Sequence, residues 1–111
     1  MNVLAILCHP DDMELTCGGT LIKCKKRGDN VTVLHVANGN MGHMVIMPDE
    51  LREIRTKEAE KAGALAGFKI INGDVGDLCV NSADVSQQEM VIKVIREAQP
   101  DFIITHNPND Y

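Results

Sequence analysis

The sequence predicts an α/β protein built on a Rossmann-like parallel sheet with flanking helices, and three observations predict it. Short apolar runs rich in Val, Ile and Leu recur four times along the chain. Stretches with helical spacing separate each run from the next, the order that gives right-handed βαβ units. Polar segments bearing His, Asp or Asn follow the first, second and fourth runs, and in such sheets ligands bind outside the carboxyl ends of the strands.

The first strand is read over residues 2–8, where nearly every residue is apolar, as expected of a strand covered on both faces. One helix is expected from about Glu14 to Arg27, with Leu15, Leu21 and Ile22 turned inward and Gly28 as its stop. Lys23, Lys25, Lys26 and Arg27 then fall at its C-terminus, where the helix dipole favours cations. The second strand is read over Val31 to Ala37, followed by the loop Asn38-Gly39-Asn40-Met41-Gly42-His43. Pro48, Asp49 and Glu50 open a second helix with a proline and two acids where each is favoured. Leu51, Ile54, Ala62 and Leu65 form its broken apolar stripe, and Gly67 ends it. A short third strand covers Phe68 to Asn72, and Gly73 to Asp77 is read as a turn-rich loop. Asp84 or Ser86 caps a third helix whose apolar face is Val91, Val94 and Ile95. Pro100 stops it, and the fourth strand runs from Asp101 to Thr105.

At 111 residues the chain holds a single core, and its net charge of −5 argues against nucleic acid as a partner, because phosphate binding needs clustered cations. No apolar run approaches the roughly 20 residues that span a bilayer, so no membrane partner is expected. No basic segment precedes the first apolar run, so a secretory signal is not expected and a cytoplasmic location is. The four cysteines (Cys8, Cys17, Cys24, Cys79) contain no C-x-x-C pair and are read as small buried apolar residues.

The chemistry concentrates in Cys8-His9-Pro10-Asp11-Asp12. If the chain turns helically there, His9 and Asp12 share a face at i and i+3, while Asp11 points elsewhere. An imidazole and a carboxylate converging at a strand end suit zinc, and an unligated Asp beside the metal suits a general base. The competing reading is structural, with two aspartates capping a helix N-terminus and His9 ending a strand. His35, inside a strand, is read as a packed residue.

This segment resembles the opening signature of the LmbE-like (PIG-L) family of zinc-dependent N-acetylglucosaminyl deacetylases, a hydrophobic strand followed by Ala-His-Pro-Asp-Asp-Glu and a Gly-rich helix start. Here the alanine is Cys8, the acid is displaced by one position to Glu14, and Cys17-Gly18-Gly19-Thr20-Leu21 follows. Arg55-Thr56-Lys57-Glu58, with Ala59, Ala62 and Gly67, resembles the family's second-helix pattern. Thr105-His106-Asn107-Pro108-Asn109-Asp110-Tyr111 resembles the segment leading into its His-x-Asp-His motif.

The resemblance covers the whole chain and implies Zn2+ held by His9 and Asp12, with Asp11 as general base. It makes Arg55 a candidate for holding substrate, since its fork suits phosphate or sugar oxygens, with a plain pairing to Glu58 as the alternative. His43, on the Gly-rich loop, is a weaker substrate-contact candidate. The implied activity is removal of an N-acetyl group from an amino sugar or its glycoside. Residues 1–111 are then expected to be the N-terminal part of one deacetylase domain, with the third zinc ligand beyond Tyr111 and His106 only a weak substitute. A sheet incomplete at its C-terminal side would leave a strand edge open, so a homo-oligomer is expected. Two other classes compete. A nucleotide-binding module lacks both G-x-G-x-x-G and G-x-x-x-x-G-K-[ST]. A truncated, catalytically inactive subunit would need a partner chain to complete its site.

Overall fold

In the computed structural model four parallel strands form one sheet in the order β3-β2-β1-β4. The structure describes residues 1–41 and 46–109, and of Glu14 and Leu15 only the backbone. Strand β1 (Asn2–Leu7) lies at the centre, between β2 (Asn30–Ala37) and β4 (Phe102–Thr105). Strand β3 (Lys69–Val75) pairs with β2 on the far side. The strand order reverses direction at β1, which sets a crevice beside its carboxyl end.

Alternation along the strands divides the core in two. Val3, Ala5 and Leu7 of β1 and Val31 and Val33 of β2 pack with Leu21, Cys24 and Phe68 on one face. Leu4 and Leu34 pack on the other face against Val94 of α4 (Val85–Ala98), with Met90, Val91 and Ile95 around them. The three residues expected to form the apolar face of that helix are therefore its inner face. Asp84 caps it, its carboxylate accepting from the Ser86 and Gln87 N–H groups.

The expected single helix from Glu14 is instead two: α1 (Asp12–Thr16) and α2 (Gly18–Lys26). Cys17 breaks the run with φ −137° and ψ 9°, and the Gly18-Gly19 pair that follows has little helical preference to resist the bend. Leu21 is buried as expected, but Ile22 faces solvent. The lysines do crowd the last turn of α2, and Arg27 just beyond it holds the Asp29 carboxylate below its ordinary range. Helix α3 (Pro48–Ala66) starts and ends as read, at a proline and at the left-handed Gly67. Its buried residues are Leu51, Ala59 and Gly63, whereas Leu65 points outward.

Strand β3 runs on through residues read as a loop. The β2–β3 register shifts between His35 and Ala37, and Gly73 lies beside that irregularity. A Cβ on Gly73 would sit 2.8 Å from the Val36 carbonyl oxygen, so the close approach needs glycine there. The cysteines differ from the expectation as well: Cys17 and Cys24 are buried, Cys8 is half-buried and Cys79 is exposed, and none is in a disulfide. Among the described residues no helix is long and apolar enough to cross a membrane.

Candidate active site

The turn after β1 brings His9 and Asp12 together. The Asp12 N–H donates to the His9 carbonyl (3.1 Å), and the Asp12 carboxylate reaches back to accept the His9 N–H (2.9 Å). Pro10, with its φ fixed, occupies the second position of this turn. The closure leaves His9 Nδ1 3.7 Å from Asp12 Oδ2. Asp11 precedes the first residue of α1 but makes no capping bond with its side chain. The capping reading therefore fails for Asp11, whose exposed side chain lines the cleft instead.

That cleft has a volume of about 470 Å³, and His9, Asp11, Gly39, Arg55, Glu58 and Asp77 are on its walls. Gly39, at φ +74°, lets the loop after β2 press against both Pro10 and Arg55. A Cβ there would come within 3.2 Å of the Arg55 side chain and 3.3 Å of the Pro10 ring. Arg55 donates from Nη1 to Glu58 Oε2 at 3.1 Å. Arg55 thus lines the cleft and also makes the pairing with Glu58 one turn along its helix.

Asp77, just past β3 in a segment whose composition reads only as a turn-rich loop, joins the other cleft residues. Its carboxylate accepts the Gly39 N–H (3.1 Å) and the Met41 N–H (3.0 Å), and its own N–H donates to the Asn40 side chain (2.9 Å). The same carboxylate lies 3.8 Å from His9 Nε2. The imidazole of His9 thus has a carboxylate at each nitrogen. The available signal was position, since Asp77 follows the third strand as the other site segments follow theirs.

His106, past β4, also arrives here. Its Nε2 accepts the Cys8 N–H (3.0 Å) and stands 3.3 Å from Asp12 Oδ2. The Cys8 thiol, 3.9 Å from His9 Nε2, is held protonated by burial and by the Asp12 and Asp77 charges, its pKa raised above the ordinary value. His35 is buried on the cleft's inner side, and Nε2 meets no partner among the described residues. Burial lowers its pKa, against the opposing pull of Asp12 and Asp11. It borders a cavity of about 20 Å³, room for one water. His43, Asp110 and Tyr111 lie outside the described residues.

Two ligands on a tetrahedral zinc stand roughly 3.3–3.5 Å apart, and His9 Nδ1 and Asp12 Oδ2, at 3.7 Å, lie within a few tenths of an ångström of that spacing. They fit as two ligands. Among the described residues no group of three or more His, Cys, Asp and Glu is arranged to hold a metal. The His106 nitrogen nearest Asp12 accepts the Cys8 N–H and is not presented as a third ligand in this conformation.

The fold and this acid–imidazole cleft define an α/β protein with a candidate ligand cleft at the crossover of its sheet. The chain belongs to the PIG-L family, described as GlcNAc-PI de-N-acetylases, whose model matches residues 4–111. It is 30% identical to a diacetylchitobiose deacetylase of Thermococcus kodakarensis over 96% of this chain and 41% of that protein. It is 28% identical to a 1D-myo-inositol 2-acetamido-2-deoxy-alpha-D-glucopyranoside deacetylase of Saccharomonospora viridis, over 96% of this chain and 50% of the relative. The solved N,N'-diacetylchitobiose deacetylase of Pyrococcus horikoshii superposes with a TM-score of 0.83 at 32% identity, covering 91% of this chain and 39% of that one. The hydratase GalB of Pseudomonas putida superposes at 0.86 with 23% identity, a likeness of fold alone. The chain spans two-fifths to half the length of these relatives.

Proposed function

We propose that residues 1–111 form the N-terminal part of a zinc-dependent deacetylase domain that removes the N-acetyl group from an amino sugar or its glycoside. The observation that carries this is the turn after β1, which closes His9 onto Asp12 while leaving Asp11 unbonded at the cleft wall. Family membership and the deacetylase relatives support the same reading.

His9 and Asp12 would hold the metal. Zinc, when bound, supplies Lewis acidity toward an amide carbonyl and makes water more acidic. The chain's own residues do the rest. Asp11, unbonded at the cleft wall, would take the proton from the attacking water and pass it to the departing amine as the C–N bond breaks. Asp77 holds the loop after β2 in place and flanks His9, the position of the outer carboxylate that fixes a ligating imidazole. Arg55 faces the cleft and contacts the sugar's hydroxyls. His43 is a further candidate for a sugar contact.

The substrate is thus a small N-acetylated amino sugar or glycoside. Four cysteines outside any disulfide suit a reducing cytoplasm. A homo-oligomer is part of the same proposal. Sedimentation as a monomer would remove that last element.

The test is acetate release from N,N'-diacetylchitobiose by the zinc-loaded protein. Asp11→Asn is expected to lower kcat on the order of 10²- to 10⁴-fold, the usual worth of a positioned base, while zinc content stays unchanged. A variant that keeps its rate removes Asp11 from the chemistry. His9→Ala and Asp12→Ala are expected to lose zinc on dialysis, and full retention by both would overturn the metal assignment.

A further inference from the structure

Cleft charge bears on which sugars enter. The lining carries three carboxylates (Asp11, Glu58 and Asp77) against one guanidinium, that of Arg55. The guanidinium is already engaged by Glu58 at 3.1 Å. Its stem is confined as well, because the loop at Gly39 packs directly against it. The two side chains occupy neighbouring turns of α3 on the same wall, so a ligand's anionic group that reaches Arg55 meets the Glu58 carboxylate at the same moment. Asp77 differs from Glu58 in that its oxygens are already spent on two backbone N–H groups. Glu58 makes no comparable structural bond and is more than half exposed.

We propose that Glu58 is a specificity-determining residue that keeps Arg55 from serving as an anion site and turns the cleft toward uncharged N-acetylated sugars and away from phosphorylated or carboxylated ones. The inference deepens the deacetylase reading and rests on it for the identity of the ligand. The physical device is rejection of a competitor by an opposing charge, with no added attraction for the favoured ligand. An exposed ion pair is worth up to about 1 kcal/mol, so freeing Arg55 converts to about a fivefold effect on an anionic ligand. Removing the repulsion from Glu58 itself adds to this.

The experiment measures binding and turnover of N-acetylglucosamine and N-acetylglucosamine-6-phosphate by the zinc-loaded wild-type protein, by Glu58→Gln, and by Glu58→Gln combined with Arg55→Ala. Wild type is expected to bind the uncharged sugar more tightly. Glu58→Gln is expected to narrow the gap about fivefold or more, through Kd and KM for the phosphate ester and not through kcat. The gain should vanish when Arg55 is also removed. Equal or tighter binding of the ester by wild type overturns the proposal, as does an unchanged gap in Glu58→Gln or a gain that survives without Arg55. Charge discrimination by binding without acetate release would sink the deacetylase reading alone. Failure to bind either sugar would sink both.

Discussion

Replacing Asp77 by Asn keeps the side chain's shape and removes its charge, and the structure sets what that should cost. Each carboxylate oxygen accepts one backbone N–H, from Gly39 at 3.1 Å and from Met41 at 3.0 Å. The side chain is only 9% exposed, so water cannot readily replace it. An amide offers one oxygen, and its NH2 group must then face the second N–H donor. Hydrogen bonds to a charged group are worth about 1.5–3 kcal/mol each and neutral ones about 1. Losing one bond and weakening the other therefore costs about 2–5 kcal/mol. Met41 is an exposed residue, so water takes part of its load and the lower end of that range is expected. With an unfolding entropy of about 2.1 cal/mol/K per residue, a loss of about 2–3 kcal/mol lowers Tm by roughly 8–13 °C. Calorimetry of the two proteins at neutral pH reads this directly, and amide exchange should show Gly39 and Met41 losing protection together. If His9 and Asp12 hold zinc, losing the outer carboxylate should also weaken zinc binding about 10- to 100-fold. A Tm within about 2 °C of wild type, with both amides still protected, would refute the reasoning, because the N–H groups would then have another acceptor.

Two further perturbations follow from the packing. Gly73→Ala places a Cβ 2.8 Å from the Val36 carbonyl oxygen and 3.1 Å from its Cα, backbone atoms that cannot rotate aside. A cost of about 1–3 kcal/mol is expected, read as a lower urea midpoint at unchanged slope, and an unshifted midpoint would mean that β3 simply relaxes outward. His35 gives a pH signature. Burial lowers its pKa in the folded state, so the unfolded chain binds a proton that the native state refuses. Its contribution is then intact above the ordinary histidine value of about 6.5 and is lost as pH falls from there toward the lowered folded value, with a slope approaching about 1.4 kcal/mol per pH unit. His35→Gln should flatten the pH dependence of the denaturation midpoint just below about pH 6.5; a slope unchanged by the substitution would assign the acid sensitivity to other groups.

What the sequence made legible has a common cause. Strands β1 and β2 are covered on both faces, so most of their residues are apolar, and α4 announces itself by the Asp84 cap and a regular inner face. The His9–Asp12 pair was legible because its geometry is local, set by three intervening bonds and a proline. What escaped depends on partners distant in the chain. Gly73 and Asp74 are conformationally free or polar and look like a loop, yet with Val75 they extend β3 because the sheet's edge leaves them half in solvent. The break at Cys17 is a dihedral event in an otherwise helical composition. Asp77 carried no motif at all, and its importance comes from where Gly39, Met41 and His9 happen to be once the strands have paired.

The sheet order explains why these separate pieces meet. A central strand has a neighbour on each side, and β1 alone has β2 on one flank and the late-arriving β4 on the other. Its carboxyl end therefore receives the loop after β2 through the Ala37 N–H, which donates to the Cys8 carbonyl, and the segment after β4 through His106. Strand β3 is one position removed, and only a side chain reaching inward from its end, that of Asp77, can join. Backbone pairing thus concentrates an imidazole and several carboxylates at one place, where their mutual repulsion would oppose folding. The same repulsion makes the corner receptive to a cation. On this argument, bound zinc should raise the protein's Tm, and should do so far less once His9 and Asp12 are both replaced by Ala.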